Sequence, residues 1–342
     1  MPFEIVRNDI IKMHVDVIVN PTNSNMFGVA GVDGSIHKIE GPRLREETAQ
    51  MGTLAPGKSV LTKAFNLPAG HIIHTVGPIW KDGNSGEEEV LRSCYKTSLE
   101  LAKNQGFESI AFPLISSGSF GCPKDVALNT AVRSIGEFLL FNEMTVYLVV
   151  FDKKAYQLSE DLYSSVEAYI DDHYIDKQHI DAQSRGRRYR ENEYLENILN
   201  VEFQLNSNDV VHSMQIKQKK KSIDDVINHL DESFSEMLLR LIDEKGLKDP
   251  EVYKKANVTK QTFSKIRNNI QYNPTKQTAL AFAIALKLNL DEAKDLLMKS
   301  GYALSKSNRF DVIVSFFLES ESYDIYEINA VLFNFNEKLL GM

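Results

Sequence analysis

The chain's 342 residues, 43% of them hydrophobic, exceed what one hydrophobic core ordinarily serves, so two domains and a linker are expected. Its two cysteines, Cys94 and Cys122, can assemble neither a disulfide framework nor a metal-ligand cluster, which suits a reducing cytoplasm and leaves no metal to expect. A formal net charge of −8, an N-terminus without a basic-then-apolar leader and the lack of any apolar run near the roughly twenty residues of a membrane span give the expectation of a soluble cytoplasmic protein with no membrane partner.

In chain order, strands are predicted near Glu4–Val6 and at Val17–Val19, followed by a helix from Ser35. Strands at Ser59–Thr62 and Ile72–Val76, a helix over Glu88–Asn104 and a strand at Ser109–Phe112 come next. A helix over Asp125–Phe138, a strand at Val146–Phe151 and a helix from Ala155 to about Tyr169 complete the first half. Strands interleaved with helices imply a three-layer α/β/α fold, with ligands outside the carboxyl ends of the strands.

Two loops lie at those ends. The apolar run Ile110-Ala111-Phe112 leads into Ser116 to Gly121, whose small side chains leave backbone N–H groups open, and a helix expected to open at Pro123 aims its positive end at the same place. Upstream, Val17-Ile18-Val19 leads into the glycine-containing stretch from Asn20 to His37. Two such loops frame one crevice suited to an anion.

These loops carry a resemblance. Asn20-Pro21-Thr22-Asn23-Ser24, Gly31-Val32-Asp33-Gly34-Ser35-Ile36-His37, His74-Thr75-Val76-Gly77-Pro78, Phe112-Pro113 and Ser117-Gly118-Ser119-Phe120-Gly121 resemble, in order, the motifs of macrodomains, the family of ADP-ribose-binding modules. The resemblance implies ADP-ribose as ligand and no further cofactor. It places Asp9 on the adenine amino group, with Ile10 beside it, and Phe151 on the adenine face. It puts the diphosphate on the loop of Ser117, Gly118, Ser119, Phe120 and Gly121, and the distal ribose beside Asn23, Gly31, Val32 and Asp33.

In the hydrolytic, MacroD-type branch, the residues at Asn23 and Asp33 orient or activate the attacking water, whereas His37 is expected to pack the loop. Two departures stand out. Asn8 replaces a usual glycine, and Val29-Ala30 replaces two, where a Cβ would push the loop away or forbid a backbone angle. Two classes therefore stay open: a hydrolase of ADP-ribosyl esters (protein mono-ADP-ribose on Asp or Glu, or O-acetyl-ADP-ribose), and a non-catalytic sensor of ADP-ribose or another NAD-derived nucleotide that controls the second domain.

Residues 1–172 form the expected first domain, and 173–221 degrade into a charged linker, with Arg185-Gly186-Arg187-Arg188-Tyr189-Arg190, Lys217 to Lys221 and one short helix around Glu191–Leu199. From 222 to 301 the pattern is helical: Phe234, Leu238, Leu241 and Ile242 share a face, Asp249-Pro250 starts a short helix, and Thr259 caps the next. Val258 to Ile266 resembles the turn and recognition helix of Cro/XRE-type helix-turn-helix domains, which implies that Lys260, Gln261 and Lys265 reach base edges of duplex DNA while Phe263 and Ile266 are core. Val252 to Leu290 contains Lys254, Lys255, Lys260, Lys265, Arg267, Lys276 and Lys287 and no acid, as a face for an anionic partner would. Residues 302–342 carry an aromatic stripe that either packs on this domain or mediates homodimerisation.

Overall fold

The computed structural model describes residues 2–28, 30–151, 158–174 and 232–341. Its first half is a six-stranded sheet of β1 (Phe3–Arg7), β2 (Val17–Thr22), β3 (Ser59–Lys63), β4 (His71–Val76), β5 (Ser109–Pro113) and β6 (Thr145–Val150) in the order β1-β6-β5-β2-β4-β3. The sheet is mixed: β3 runs antiparallel to β4, and every other pair is parallel. Helices α1 (Gly31–Glu40), α2 (Pro42–Met51), α3 (Glu87–Asn104), α4 (Lys124–Phe141) and α5 (Glu160–His173) cover it.

Strand alternation decides the layers. Val17, Val19, Ile110, Phe112, Val146 and Leu148 share a core with Leu91 and Tyr95 of α3 and Ala131 and Ile135 of α4. Their neighbours Ile18, Ala111 and Val149 share the other with Ile36 of α1 and Leu44 of α2. Burial on both faces is why these strands read as continuous apolar runs. Because β2 and β5 are adjacent, the loops that follow them open side by side on one sheet edge.

Three boundaries differ from expectation. α1 begins at Gly31 rather than Ser35, which brings Asp33 into the first turn, where the helix dipole favours a carboxylate. α2 was not foreseen, because its sequence buries only Leu44 and Thr48 and so carries no apolar stripe. α5 starts at Glu160 behind the cap of Ser159, while Ala155 lies outside the described residues. So does the linker from residue 175 to 221, including Arg185 to Arg190, Lys217 to Lys221 and the expected helix at Glu191–Leu199.

The second half is helical: α6 (Phe234–Glu244), α7 (Asp249–Lys255), α8 (Lys260–Asn268), α9 (Lys276–Ala285), α10 (Leu290–Lys299), α11 (Arg309–Glu319) and α12 (Ile325–Asn334). Thr259 accepts a hydrogen bond from the Thr262 backbone N–H at 3.0 Å and so caps α8, whose Phe263 and Ile266 are buried.

The aromatic stripe packs within the chain, against the sheet domain. Tyr326 lies 5.6 Å from the Phe3 ring and fills the space left by Gly136 of α4, where a Cβ would come within 2.8 Å of it. Phe335 stacks on Tyr163 of α5 at 5.6 Å, and Phe316 meets Tyr169 edge-on at 5.3 Å. These contacts tie the stripe to the sheet domain within one chain.

A second seam lies along β1. The Asn257 side chain accepts from the Phe3 N–H at 2.7 Å and donates to the Phe3 carbonyl at 3.0 Å, in the manner of one more strand residue pairing with the sheet edge.

Candidate functional site

At the end of β1, Asp9 caps a short 3-10 turn, Ile10–Lys12, by accepting from the Ile11 N–H at 3.3 Å. A groove of about 430 Å³ opens beside it, bounded by Asp9, Ile10, Gly31, Val32, Val149 and Phe151 among others. Phe151 is 72% exposed, too much for a core residue, and offers an uncovered ring face to the groove's edge. The structure thus brings together five of the residues singled out from the sequence: Asp9, Ile10, Gly31, Val32 and Phe151.

The loop after β5 is fastened at its ends and open in its middle. Ser117 donates its hydroxyl to the Leu114 carbonyl at 2.8 Å, the Cys122 N–H donates to the Ser116 carbonyl at 2.9 Å, and the Phe120 carbonyl accepts from the Trp80 N–H at 2.8 Å. Ser116 takes a positive φ of 62°, and its hydroxyl occupies the space a Cβ on Gly77 would need. The N–H groups of Gly118, Ser119 and Phe120 donate to no group among the described residues, while the Gly121 N–H turns back onto the Gly118 carbonyl at 3.0 Å. A Cβ on Gly118 would meet nothing within 4 Å, so it would project into open space. With α4 starting at Lys124, three open donors and a helix N-terminus share this corner, the arrangement an anion prefers. Burial pushes the Cys122 thiol up to about 11, with Asp125 and Glu88 adding to the effect, so it is no thiolate nucleophile.

Asp33 sits beneath the first loop. It is only 5% exposed, and its Oδ1 accepts from Asn20 Nδ2 at 2.7 Å while its Oδ2 accepts from the Thr22 hydroxyl at 2.9 Å. His37, one turn on, brings Nε2 to 3.5 Å from Asp33 Oδ1 and packs against Gly28, where any Cβ would collide with its ring. Burial lowers the His37 pKa, opposed by Asp33 and assisted by Arg45. Behind Asn20 lies His74, which burial holds neutral at about 3, His37 contributing in the same direction.

Asn23 is half-buried, and its Oδ1 accepts from the Asn25 N–H at 3.0 Å, so its carbonyl oxygen shapes the turn. The departure at Val29-Ala30 is milder than expected at its second position. Ala30 has φ −159°, extended backbone that any residue adopts, and it is exposed; Val29 lies outside the described residues. Asn20, Thr22 and His74 stand within the sequence motifs but are not among the residues expected to form the site. Their signal was a polar residue inside a strand that is otherwise apolar.

The Macro domain model matches residues 19–131. A macro domain-containing protein of Methanosarcina mazei is 48% identical over 151 residues, which cover 44% of this chain and 81% of that protein. The chain belongs to the macro domain family. An O-acetyl-ADP-ribose deacetylase of Escherichia fergusonii is 42% identical over 156 residues, covering 44% of this chain and 88% of the enzyme. Among solved structures, the Oceanobacillus iheyensis macrodomain with ADP aligns with a TM-score of 0.45 at 39% identity, over 48% of this chain and 92% of that one.

Beyond the macro domain, Lys260, Gln261 and Lys265 are all exposed on α8. The acid-free stretch, however, is not a free cationic face. Lys254 meets Glu143 of the macro domain at 3.6 Å, Lys255 meets Glu251 at 2.8 Å, Arg267 pairs with Asp249, and Lys276 pairs with Asp311 of α11 at 2.7 Å. Only Lys260, Lys265 and Lys287 lack an acidic partner among the described residues, so acids outside the stretch, two flanking it (Asp249, Glu251) and two remote from it (Glu143, Asp311), pair with four of its seven cations.

Proposed function

We propose that the macro domain binds ADP-ribose along this edge and hydrolyses ADP-ribosyl esters, those of protein Asp or Glu side chains or of O-acetyl-ADP-ribose. The observation that carries the reading is the open run of N–H groups at Gly118, Ser119 and Phe120 on the same sheet edge as the groove holding Asp9 and Phe151. Kinship with O-acetyl-ADP-ribose deacetylases supports it. Asp9 accepts from the adenine amino group, Phe151 stacks on the ring, and the diphosphate receives the open N–H groups with the α4 N-terminus behind it. The distal ribose lies between the loops, beside Gly31, Val32 and Asn23.

One water is consumed per ester, releasing a carboxylic acid and ADP-ribose. Asn23 and the fixed carboxylate of Asp33 orient that water together with phosphate and ribose oxygens. A second reading, a non-catalytic sensor, is favoured by the way the helical half grips β1: Arg7, two residues before Asp9, donates to Asn336 Oδ1 at 3.1 Å and lies over the Phe333 ring. In either reading α8 is available to duplex DNA through Lys260, Gln261 and Lys265.

Incubation of the full chain with a mono-ADP-ribosylated acidic protein tests the proposal. Release of ADP-ribose, slowed about a hundredfold or more by Asp33→Ala, is the expected result. Binding of ADP-ribose without release selects the sensor, and no binding in titration calorimetry removes both readings.

A further inference from the structure

Asp33 is held from behind by a hydrogen-bonded row that crosses three strands. Asn20 of β2 and His74 of β4 are register partners, and Thr62 lies on the adjacent strand β3. Asn20 Nδ2 is 2.7 Å from Asp33 Oδ1 and 3.1 Å from His74 Nδ1, and His74 Nε2 is 2.9 Å from the Thr62 hydroxyl. All four residues are at most 5% exposed.

The chemistry of the row fixes its protons. An amide nitrogen has two hydrogens, so Asn20 can serve the carboxylate and the imidazole at once only if His74 Nδ1 is bare. The ring proton then sits on Nε2 and is donated to Thr62. Turning the Asn20 amide over would set its carbonyl oxygen against the Asp33 carboxylate, and protonating His74 would set an N–H against the amide hydrogens. Asn20 Oδ1, meanwhile, is buried without a partner among the described residues. A fold that leaves a buried carbonyl unpaired in order to direct both amide hydrogens has fixed the amide's orientation at a cost, which is unusual away from functional sites.

We propose that Asn20 and His74 are positioning residues: His74, as its Nε2–H tautomer, orients the Asn20 amide, and Asn20 sets the carboxylate of Asp33 for the distal ribose and its ester. The inference rests on the reading that ADP-ribose lies with its distal ribose beside Asp33. The adenosine and diphosphate contacts lie elsewhere on the sheet edge, so the row bears on ADP-ribose and not on ADP.

Three measurements on the full chain test it. Imidazole ¹⁵N spectra are expected to show His74 neutral with its proton on Nε2 from about pH 5 to about pH 8; a proton on Nδ1 overturns the proposal. In titration calorimetry, Asn20→Ala and His74→Leu are expected to weaken ADP-ribose about tenfold and leave ADP unchanged, with His74→Gln, which keeps an acceptor and a donor, falling closer to wild type. In the Asp33→Ala background neither substitution should weaken ADP-ribose further. Equal losses for ADP and ADP-ribose, or losses that add to that of Asp33→Ala, mean that the row only supports the fold and overturn the proposal. Failure of wild type to bind either nucleotide refutes the ligand reading instead, and is told apart by a His74 spectrum that still shows the Nε2–H form.

Discussion

In the macro domain, Gly118, Ser119 and Phe120 keep open N–H groups and Asn20, Asp33, His37 and His74 are buried together, whereas in the described helical half most helix N-termini and most of the cations of Val252 to Leu290 have partners. There Ser233, Thr259, Thr275, Asn289 and Asp324 cap five helices, and Lys254, Lys255, Arg267 and Lys276 each meet an acid. Unpaired donors and buried polar rows cost stability, and they persist where a ligand compensates. By that measure the macro domain carries the site and the helical half is built to stay folded and docked.

The sharpest way to break this comparison is to fill the open corner. Gly118→Glu adds a carboxylate where a Cβ points into open space, beside the proposed diphosphate, and like charges in a partly desolvated site repel strongly. ADP-ribose binding should fall by about a hundredfold or more in calorimetry, with the melting temperature nearly unchanged. Retained binding would move the diphosphate off this loop.

A smaller effect separates the buried histidine from the helical half. His74 is held neutral at about 3 against an ordinary 6.5, so below pH 6.5 the unfolded chain binds a proton that the native chain does not. Stability from this group is complete above the unfolded value and falls with pH at about 1.4 kcal/mol per unit between the two. Denaturant titrations at pH 7 and pH 5 should show the loss, and His74→Gln should flatten it. An unchanged slope in that variant would assign the acid sensitivity elsewhere.

Much of the macro domain was legible because its loops carry several spaced motifs and its strands are apolar on both faces. Asp9, Ile10, Gly31, Val32 and Phe151 could be grouped without coordinates, and they line one groove. What stayed hidden depends on contacts distant in sequence. The row Thr62–His74–Asn20–Asp33 joins three strands and a helix, and no local pattern marks its order. The pairing of Val252 to Leu290 was hidden in part for the same reason: Glu143 and Asp311 lie far from it in sequence, whereas Asp249 and Glu251 flank it.

The docking seam gives a third test. Asn257 has φ 53°, is 2% exposed and satisfies both backbone groups of Phe3. Asn257→Ala strains that backbone and leaves a buried N–H and C=O unpaired, a loss of about 1–3 kcal/mol. Denaturant unfolding followed in both halves should show it, and stability equal to wild type would mean that water takes over the pairing. ADP-ribose binding that weakens in parallel would favour the sensor over a free-standing enzyme.

The smallest expected effect concerns DNA, and the ion pairs set its size. If all seven cations of Val252 to Leu290 contacted phosphates, the slope of log affinity against log salt would be about −6 for duplex DNA. With most of them paired to acids, and with only Lys260 and Lys265 of the free ones on α8, the slope should be about −2 and binding should be weak above low salt. Lys260→Ala with Lys265→Ala should remove what binding there is and leave ADP-ribose affinity untouched, because neither side chain is near the groove of Asp9 and Phe151. A steep slope would mean that the ion pairs open on DNA. No retention of any duplex in a low-salt mobility shift would leave α8 to a protein partner, and would make the helical half a docking module through and through.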